Sequence, residues 1–310
     1  MEHLTHVDAG RLEAVRTAGG YTWLDLTDPS HDELHEAARV LGLPALAVED
    51  SKEFRQRAKI DDYGDRVLVV FYGAQDEHLV EVHLHVSGTE VLTVRRGRCD
   101  ALDRVRVDHA RSEEDLVYHL LDALADSVLA LVDRHLERAE ALEDAAYERP
   151  DDAERRQIAE LRADLFGIGQ TVTAQREMLG RGAGKLEGVP GLEHDEARHP
   201  FRDVHDDLVL TANRIAYGRE LLAQALDVHL ASQGNRLNQL ATRLTLVATI
   251  FLPLTFVTGF FGQNFEWLVA SVDTRRDFLL FGIGGCVVAI LVPIAFYWWA
   301  GLIGRRGRRP

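Results

Sequence analysis

Between Leu244 and Phe261 the chain reads LTLVATIFLPLTFVTGFF without one charged residue, and this run limits the fold more than any other stretch. At ~1.5 Å rise per residue, roughly 18 residues cover ~27 Å, close to the ~30 Å hydrocarbon core of a bilayer. A second apolar run, FLLFGIGGCVVAILVPIAFYWWA, starts at Phe278 after a short polar segment from Gly262 to Asp277. Trp298 and Trp299 mark its interfacial end, and Arg305, Arg306, Arg308 and Arg309 follow at once. Aromatic and basic flanks of this kind place the C-terminus in the cytoplasm. The opening MEHLTHVDAGRLEAV is acidic and lacks an apolar core, so it does not read as a signal peptide, and the front of the chain is expected on the same side.

One face of the first run differs in composition from the rest. At helical spacing Thr242, Thr245, Thr249, Leu252, Thr255 and Gly259 share a sector, while Leu246, Val247, Ile250, Phe251, Leu254 and Val257 fill much of the remainder. Small and hydroxyl-bearing residues can pack helices together and bond back to their own carbonyls. They can also line a watery path, and the spacing alone leaves both readings open.

The formal charge of −15 over 310 residues argues against nucleic acid as a partner and suits a protein that handles cations. Cys99 and Cys286 stand far apart with no neighbour at metal-ligand or redox spacing. From Tyr21 to about Arg98, YTWLDL, VLVVFYGA, LVEVHLHV and EVLTVRR read as strands, and HDELHEAARVLGL as a helix capped by Ser30. Helical periodicity then runs from Ser112 to Glu148 and from Asp151 to about Leu179. GRGAGKLEGVPGLEHDEARHP, with five glycines and two prolines, reads as a loop. It is no phosphate-binding loop, because Leu179 and Leu186 stand where glycine and a hydroxyl residue are needed.

After Pro200 no proline occurs until Pro253. Leu208, Ile215, Leu222 and His229 repeat every seven residues, and Leu226, Leu230, Leu237 and Leu244 carry a second apolar row, so one long helix is expected from about Phe201 into the bilayer. His31 and His35 lie four apart without an evident third zinc ligand. No G-x-S-x-G nucleophile motif is present, and the chain does not read as an enzyme.

ATIFLPLTFVTGFFGQNFEW (Ala248 to Trp267) resembles the pore helix and outer mouth of the CorA family of magnesium and cobalt transporters, and FRDVHDD (Phe201 to Asp207) resembles the head of its stalk. WLDLTDP (Trp23 to Pro29) adds a weaker match, and the likeness covers nearly the whole chain. Gly262, Gln263 and Asn264 stand where the family has Gly-Met-Asn, so the loop is a Gly-Gln-Asn variant. The resemblance implies a funnel-shaped channel: an α+β cytoplasmic domain, long stalk helices and two transmembrane helices. It implies an ion path lined by Asp227, Asn238, Thr242, Leu244, Thr245, Thr249, Leu252, Thr255 and Gly259, with Leu244 and Leu252 at apolar gates. Glu49 and Asp50 resemble the acidic pair of a regulatory metal site that Asp203 of a neighbouring subunit completes.

The expected organisation is therefore 1–111 for the N-terminal domain, 112–243 for the helical stalk region and 244–261 for the pore-lining span. A loop at 262–277, a second span at 278–300 and a basic tail at 301–310 complete it. By resemblance the chain is a homopentamer in the plasma (inner) membrane, contacting lipid, with both termini cytoplasmic. Mg²⁺ is both cargo and regulator, Co²⁺ or Ni²⁺ are further cargo, and no organic cofactor is implied. The alternatives are a zinc transporter of the same superfamily and a transport-inactive membrane-anchored sensor.

Overall fold

Short strands rich in apolar residues, TWLDLT, RVLVVFYGAQ, HLVEVHLHVS and EVLTVR, build the middle of a six-stranded mixed sheet. The computed structural model describes residues 2–106, 110, 112–148, 152–187, 200–263, 266, 270 and 274–299. The chain divides into two units, Met1–His229 and Leu230–Pro310.

The first unit holds β1 (Glu2–Leu4), β2 (Thr22–Thr27), β3 (Lys59–Asp62), β4 (Arg66–Gln75), β5 (His78–Ser87) and β6 (Glu90–Arg95) in the order β1-β2-β6-β5-β4-β3. β1 and β6 run parallel to β2, and the remaining pairs are antiparallel. One face buries Leu24, Leu26, Leu92 and Val94 with residues of the helices α1 (Ala9–Thr17), α2 (His31–Leu41) and α3 (Ala45–Asp50). The Ser30 hydroxyl caps α2 by accepting the Glu33 amide at 3.2 Å, and Gly42 ends it at φ 68°, where a side chain would be strained.

The opposite face buries Val69, Phe71, Val82 and Leu84 with Leu120, Leu121, Leu124 and Val128 of α5 (Glu113–Glu148), which follows the short α4 (Asp100–Asp103). α6 (Asp152–Glu187) runs eight residues past the boundary expected at Leu179, so Gly180 to Glu187 are helix rather than loop. The glycine at 182 has a packing reason: a Cβ there would lie 2.9 Å from Ile60 Cδ1 of β3. α7 (Pro200–Phe261) is the long helix expected after Pro200. Its heptad row Leu208, Ile215, Leu222 and His229 is buried in the first unit.

The β5 positions that face away from α5 carry a buried polar chain that periodicity alone does not reveal. Nε2 of His85 lies 2.7 Å from the Ser51 hydroxyl, which is also 3.4 Å from Nδ1 of His83. Nε2 of His83 meets Glu81 at 2.8 Å, and the Glu81 carboxylate accepts the Arg55 and Gln56 amides. Ser51 is the residue that closes α3, so this chain ties the end of that helix to the sheet.

Burial above all, then the charges of His83 and Arg66, lowers the His85 pKa from 6.5 to about 3. The unfolded chain therefore takes up this proton first as pH falls. The stabilising contribution of neutral His85 is complete above pH 6.5 and drains away toward pH 3. Thermal unfolding midpoints should fall as pH drops from about 7 to about 4, because the unfolded state binds the extra proton throughout that window, and His85→Gln should flatten the fall. Equal slopes for both proteins would assign the acid sensitivity to another group.

Candidate functional site

In the second unit, the threonine hydroxyls of α7 bond back to the helix's own backbone. The hydroxyls of Thr242, Thr245, Thr249 and Thr255 donate to the carbonyls four residues earlier, at 2.8, 2.9, 2.7 and 2.7 Å. Thr258 donates to Leu254 in the same way at 3.0 Å. Each hydroxyl hydrogen is thus engaged with the backbone, while the oxygen keeps acceptor capacity. Such a surface is neutral yet able to accept from water around a cation.

α8 (Arg275–Trp299) is the second apolar helix, and it opens with the Thr274 hydroxyl accepting the Asp277 amide at 3.2 Å. A π-helical turn occupies Phe278–Ile283. Half-buried Leu246, Thr249, Ile250, Pro253, Leu254 and Val257 mark the side of α7 that meets α8. There the Thr249 hydroxyl lies 3.0 Å from that of Tyr297, and a Cβ on Gly285 would be 3.3 Å from Val257 Cγ1. Small residues let membrane helices approach in this way.

Asn238, Thr242, Leu244, Thr245, Leu252, Thr255 and Gly259 are all exposed, as is Asp227 in the first unit. Leu244 and Leu252 are 76% and 73% exposed, unusual for leucine unless lipid or another subunit covers it. At about 100° per residue, Asn238, Thr245, Leu252 and Gly259 stay within about 60° of one another, well away from the α8-facing side. Thr249 sits at the border of this stripe and shares its oxygen with Tyr297.

α7 ends where Gly262 donates to the Thr258 carbonyl at 2.9 Å and Gln263 to that of Phe260 at 3.3 Å. A Cβ at position 262 would lie 3.0 Å from the Thr258 oxygen, so this exit turn favours glycine. The Gln263 side chain is exposed, and Asn264 lies outside the described residues.

Glu49 and Asp50 occupy the last turn of α3, with Glu49 exposed. Asp50 Oδ2 accepts from Lys59 Nζ at 2.7 Å and from the Tyr63 hydroxyl at 3.3 Å, and Lys59 also reaches Asp61 at 2.8 Å. Asp203 lies exposed in the first turn of α7. Its electrostatic neighbours are aspartates: burial, then Asp126, Asp207 and Asp203, raises the pKa of Asp122. Burial, then Asp126, Asp203 and Asp206, raises that of Asp207. Within one chain Asp50 thus has a lysine partner, and Asp203 belongs to a separate acidic group. Among the described residues no three His, Cys, Asp or Glu side chains are arranged to hold a metal. Lys59 and the α5 aspartates are the participants that motif spacing missed, although Asp122 and Asp126 stand on the polar side of α5 four residues apart. His35 meets Lys52 at 3.0 Å, an unsuitable companion for a zinc ligand.

The chain matches the family described as CorA-like Mg²⁺ transporter protein over residues 18–299. It is 29% identical over 276 residues to the cobalt/magnesium transport protein CorA of Thermotoga maritima, covering 84% of this chain and 78% of that protein. The zinc transport protein ZntB of Yersinia enterocolitica is 22% identical over 299 residues, 93% of this chain and 88% of the relative. Among solved structures, the complete CorA magnesium transporter from Methanocaldococcus jannaschii superposes with a TM-score of 0.79 at 22% identity, covering 92% and 90% of the two chains. The sheet domain, the long helix and the two apolar helices are those of that fold.

The pairing of α7 with α8 is open to a direct check at Thr249 and Tyr297. A double-mutant cycle with Thr249→Val and Tyr297→Phe should return a coupling of about 0.6 kcal/mol, the usual size for hydroxyl pairs between membrane helices. Strict additivity would mean that the two hydroxyls do not meet.

Proposed function

Because the chain belongs to the family of CorA-like Mg²⁺ transporter proteins, we propose that it is a homopentameric channel carrying Mg²⁺ inward across the plasma membrane. Co²⁺ and Ni²⁺ are further cargo, both termini are cytoplasmic, and intracellular Mg²⁺ restrains opening. The observation that carries this reading is the exposed, uncharged stripe of α7, which points away from α8 and ends at Gly262-Gln263. One helix cannot enclose a path, so the stripe must face its copies around a central axis.

Mg²⁺ sheds water reluctantly, and a filter of carbonyl and amide oxygens at Gly262, Gln263 and Asn264 would grip the hydrated ion. Leu244 and Leu252 would then form rings that exclude ions by dewetting. The driving force is the membrane potential, about 2.3 kcal/mol per charge per 100 mV, acting twice on a divalent cation. Zinc is the second reading. The likeness to a zinc transport protein favours it.

Uptake into liposomes carrying the purified protein separates the readings. Mg²⁺ entry driven by an inside-negative potential, lost in a correctly assembled Asn264→Ala variant, is the expected result. Zn²⁺ entry that follows a proton gradient would favour the second reading, and wild-type flux in Asn264→Ala would remove the filter assignment. Gln263→Met should shift the order of competition among Mg²⁺, Co²⁺, Ni²⁺ and Zn²⁺.

Gating is proposed to run through Glu49, Asp50 and the Asp203 of an adjacent subunit. Unscreened carboxylates repel, and a bound Mg²⁺ bridges them and holds the ring closed. Lys59, 2.7 Å from Asp50 in the single chain, is the cation that the metal has to displace. Replacing both Asp50 and Asp203 with Asn should abolish inhibition of flux by internal Mg²⁺, whatever happens to the basal rate. Inhibition as steep as in the wild type would place the sensor elsewhere.

A further inference from the structure

We propose that a cleft in the first unit, walled by the Arg55–Ala58 segment, Tyr72 of β4, α6 and α7, binds a nucleoside polyphosphate. Its volume of about 670 Å³ falls within the range that encloses ligands of this size. Three arginines, Arg55, Arg57 and Arg219, line it in a chain of formal charge −15. Arg57 reaches Glu177 at 3.2 Å, but among the described residues the guanidinium groups of Arg55 and Arg219 have no carboxylate partner. Unpaired guanidinium forks match phosphate oxygens in geometry and charge.

Phosphate alone would not need the aromatic wall. Phe166 of α6 is 50% exposed, and the Arg219 guanidinium lies 5.6 Å from its ring centroid. An exposed aromatic face beside a cation is a platform on which a base can stack. The hydroxyls of Thr171 and Thr173, each donating to a helix carbonyl at 3.4 and 2.7 Å, line the same cleft. Arg55 holds φ at 75°, outside the usual range for a side-chain-bearing residue, and its amide is fixed by the Glu81 carboxylate. The arginine that faces the cleft is therefore held by the same polar chain that closes α3.

The cleft depends on close approach of its walls, because a Cβ on Gly169 of α6 would lie 3.2 Å from Ile215 Cγ2 of α7. Ile215, Ala216 and Arg219 give α7 one side of the site, so a bound ligand bridges α6 and α7. A ligand that fits one spacing of these helices better than another shifts the balance between them. The site stands apart from the α7 stripe and from Glu49, Asp50 and Asp203, and its occupancy is measurable without any assumption about the cargo.

The test is equilibrium binding of ATP, ADP and inorganic tripolyphosphate to the full-length protein in detergent at fixed free Mg²⁺. Saturable ATP binding is expected, weakened more than about ten-fold in Arg55→Ala/Arg219→Ala from the loss of two charge-assisted contacts. Phe166→Ala should weaken ATP and leave tripolyphosphate unchanged. Absence of saturable ATP binding to the wild type at millimolar concentration overturns the proposal, as does wild-type affinity in the double variant. Tripolyphosphate that binds as tightly as ATP, to wild type and Phe166→Ala alike, overturns the nucleoside part. Should a variant fail to assemble, competition between ATP and tripolyphosphate on the wild type decides, with preference for ATP supporting the site and equality refuting it.

Discussion

Every polar group in the uncharged stretch of α7 has to find a partner without help from water, and the rest of the second unit follows from that constraint. A helix is the one way a lone segment can do so, and threonine is tolerated in it because its hydroxyl returns to its own backbone. Pro253 supplies no amide for the carbonyl of Thr249, in the very turn where that threonine meets Tyr297. The threonine stripe is thus compatible with lipid during insertion and with hydrated cations once copies assemble around it.

What can be read from residues alone divides along physical lines. The four central strands show as short apolar runs because both faces of the sheet are covered, and α2 with its Ser30 cap and the single helix from Pro200 through the first apolar run follow from helical periodicity. β1 and β3 escape the same reading, since edge strands of three and four residues are too short to show alternation. The last turns of α6 mislead for the opposite reason. Gly180 and Gly182 look like loop residues, yet both lie within the helix, and Gly182 serves close contact with Ile60, which composition cannot distinguish from a turn.

The site shows a similar split. The phase of Asn238, Thr245, Leu252 and Gly259 is visible as spacing, and all four are exposed on α7. Motif comparison also picks out Asp50 and Asp203, but not the lysine beside one and the aspartates around the other, because those contacts join α3 to β3 and α7 to α5. Asn264, the residue on which ion selection is proposed to depend most, lies outside the described residues. The polar chain along β5, in which His83, His85 and Ser51 hold the end of α3, leaves only an ordinary strand pattern in the sequence.

The central claim is that one face of α7 lines the ion path, and its angular position is what has to be measured. Single cysteines placed from Asn238 to Phe261, in a background lacking Cys286, would be exposed to a water-soluble thiol reagent and to Cd²⁺ during flux. The account predicts modification and block at Asn238, Thr245, Leu252 and Gly259 and protection at Leu246, Ile250, Leu254 and Val257. Block centred on the second group, or with no helical phase at all, would contradict it.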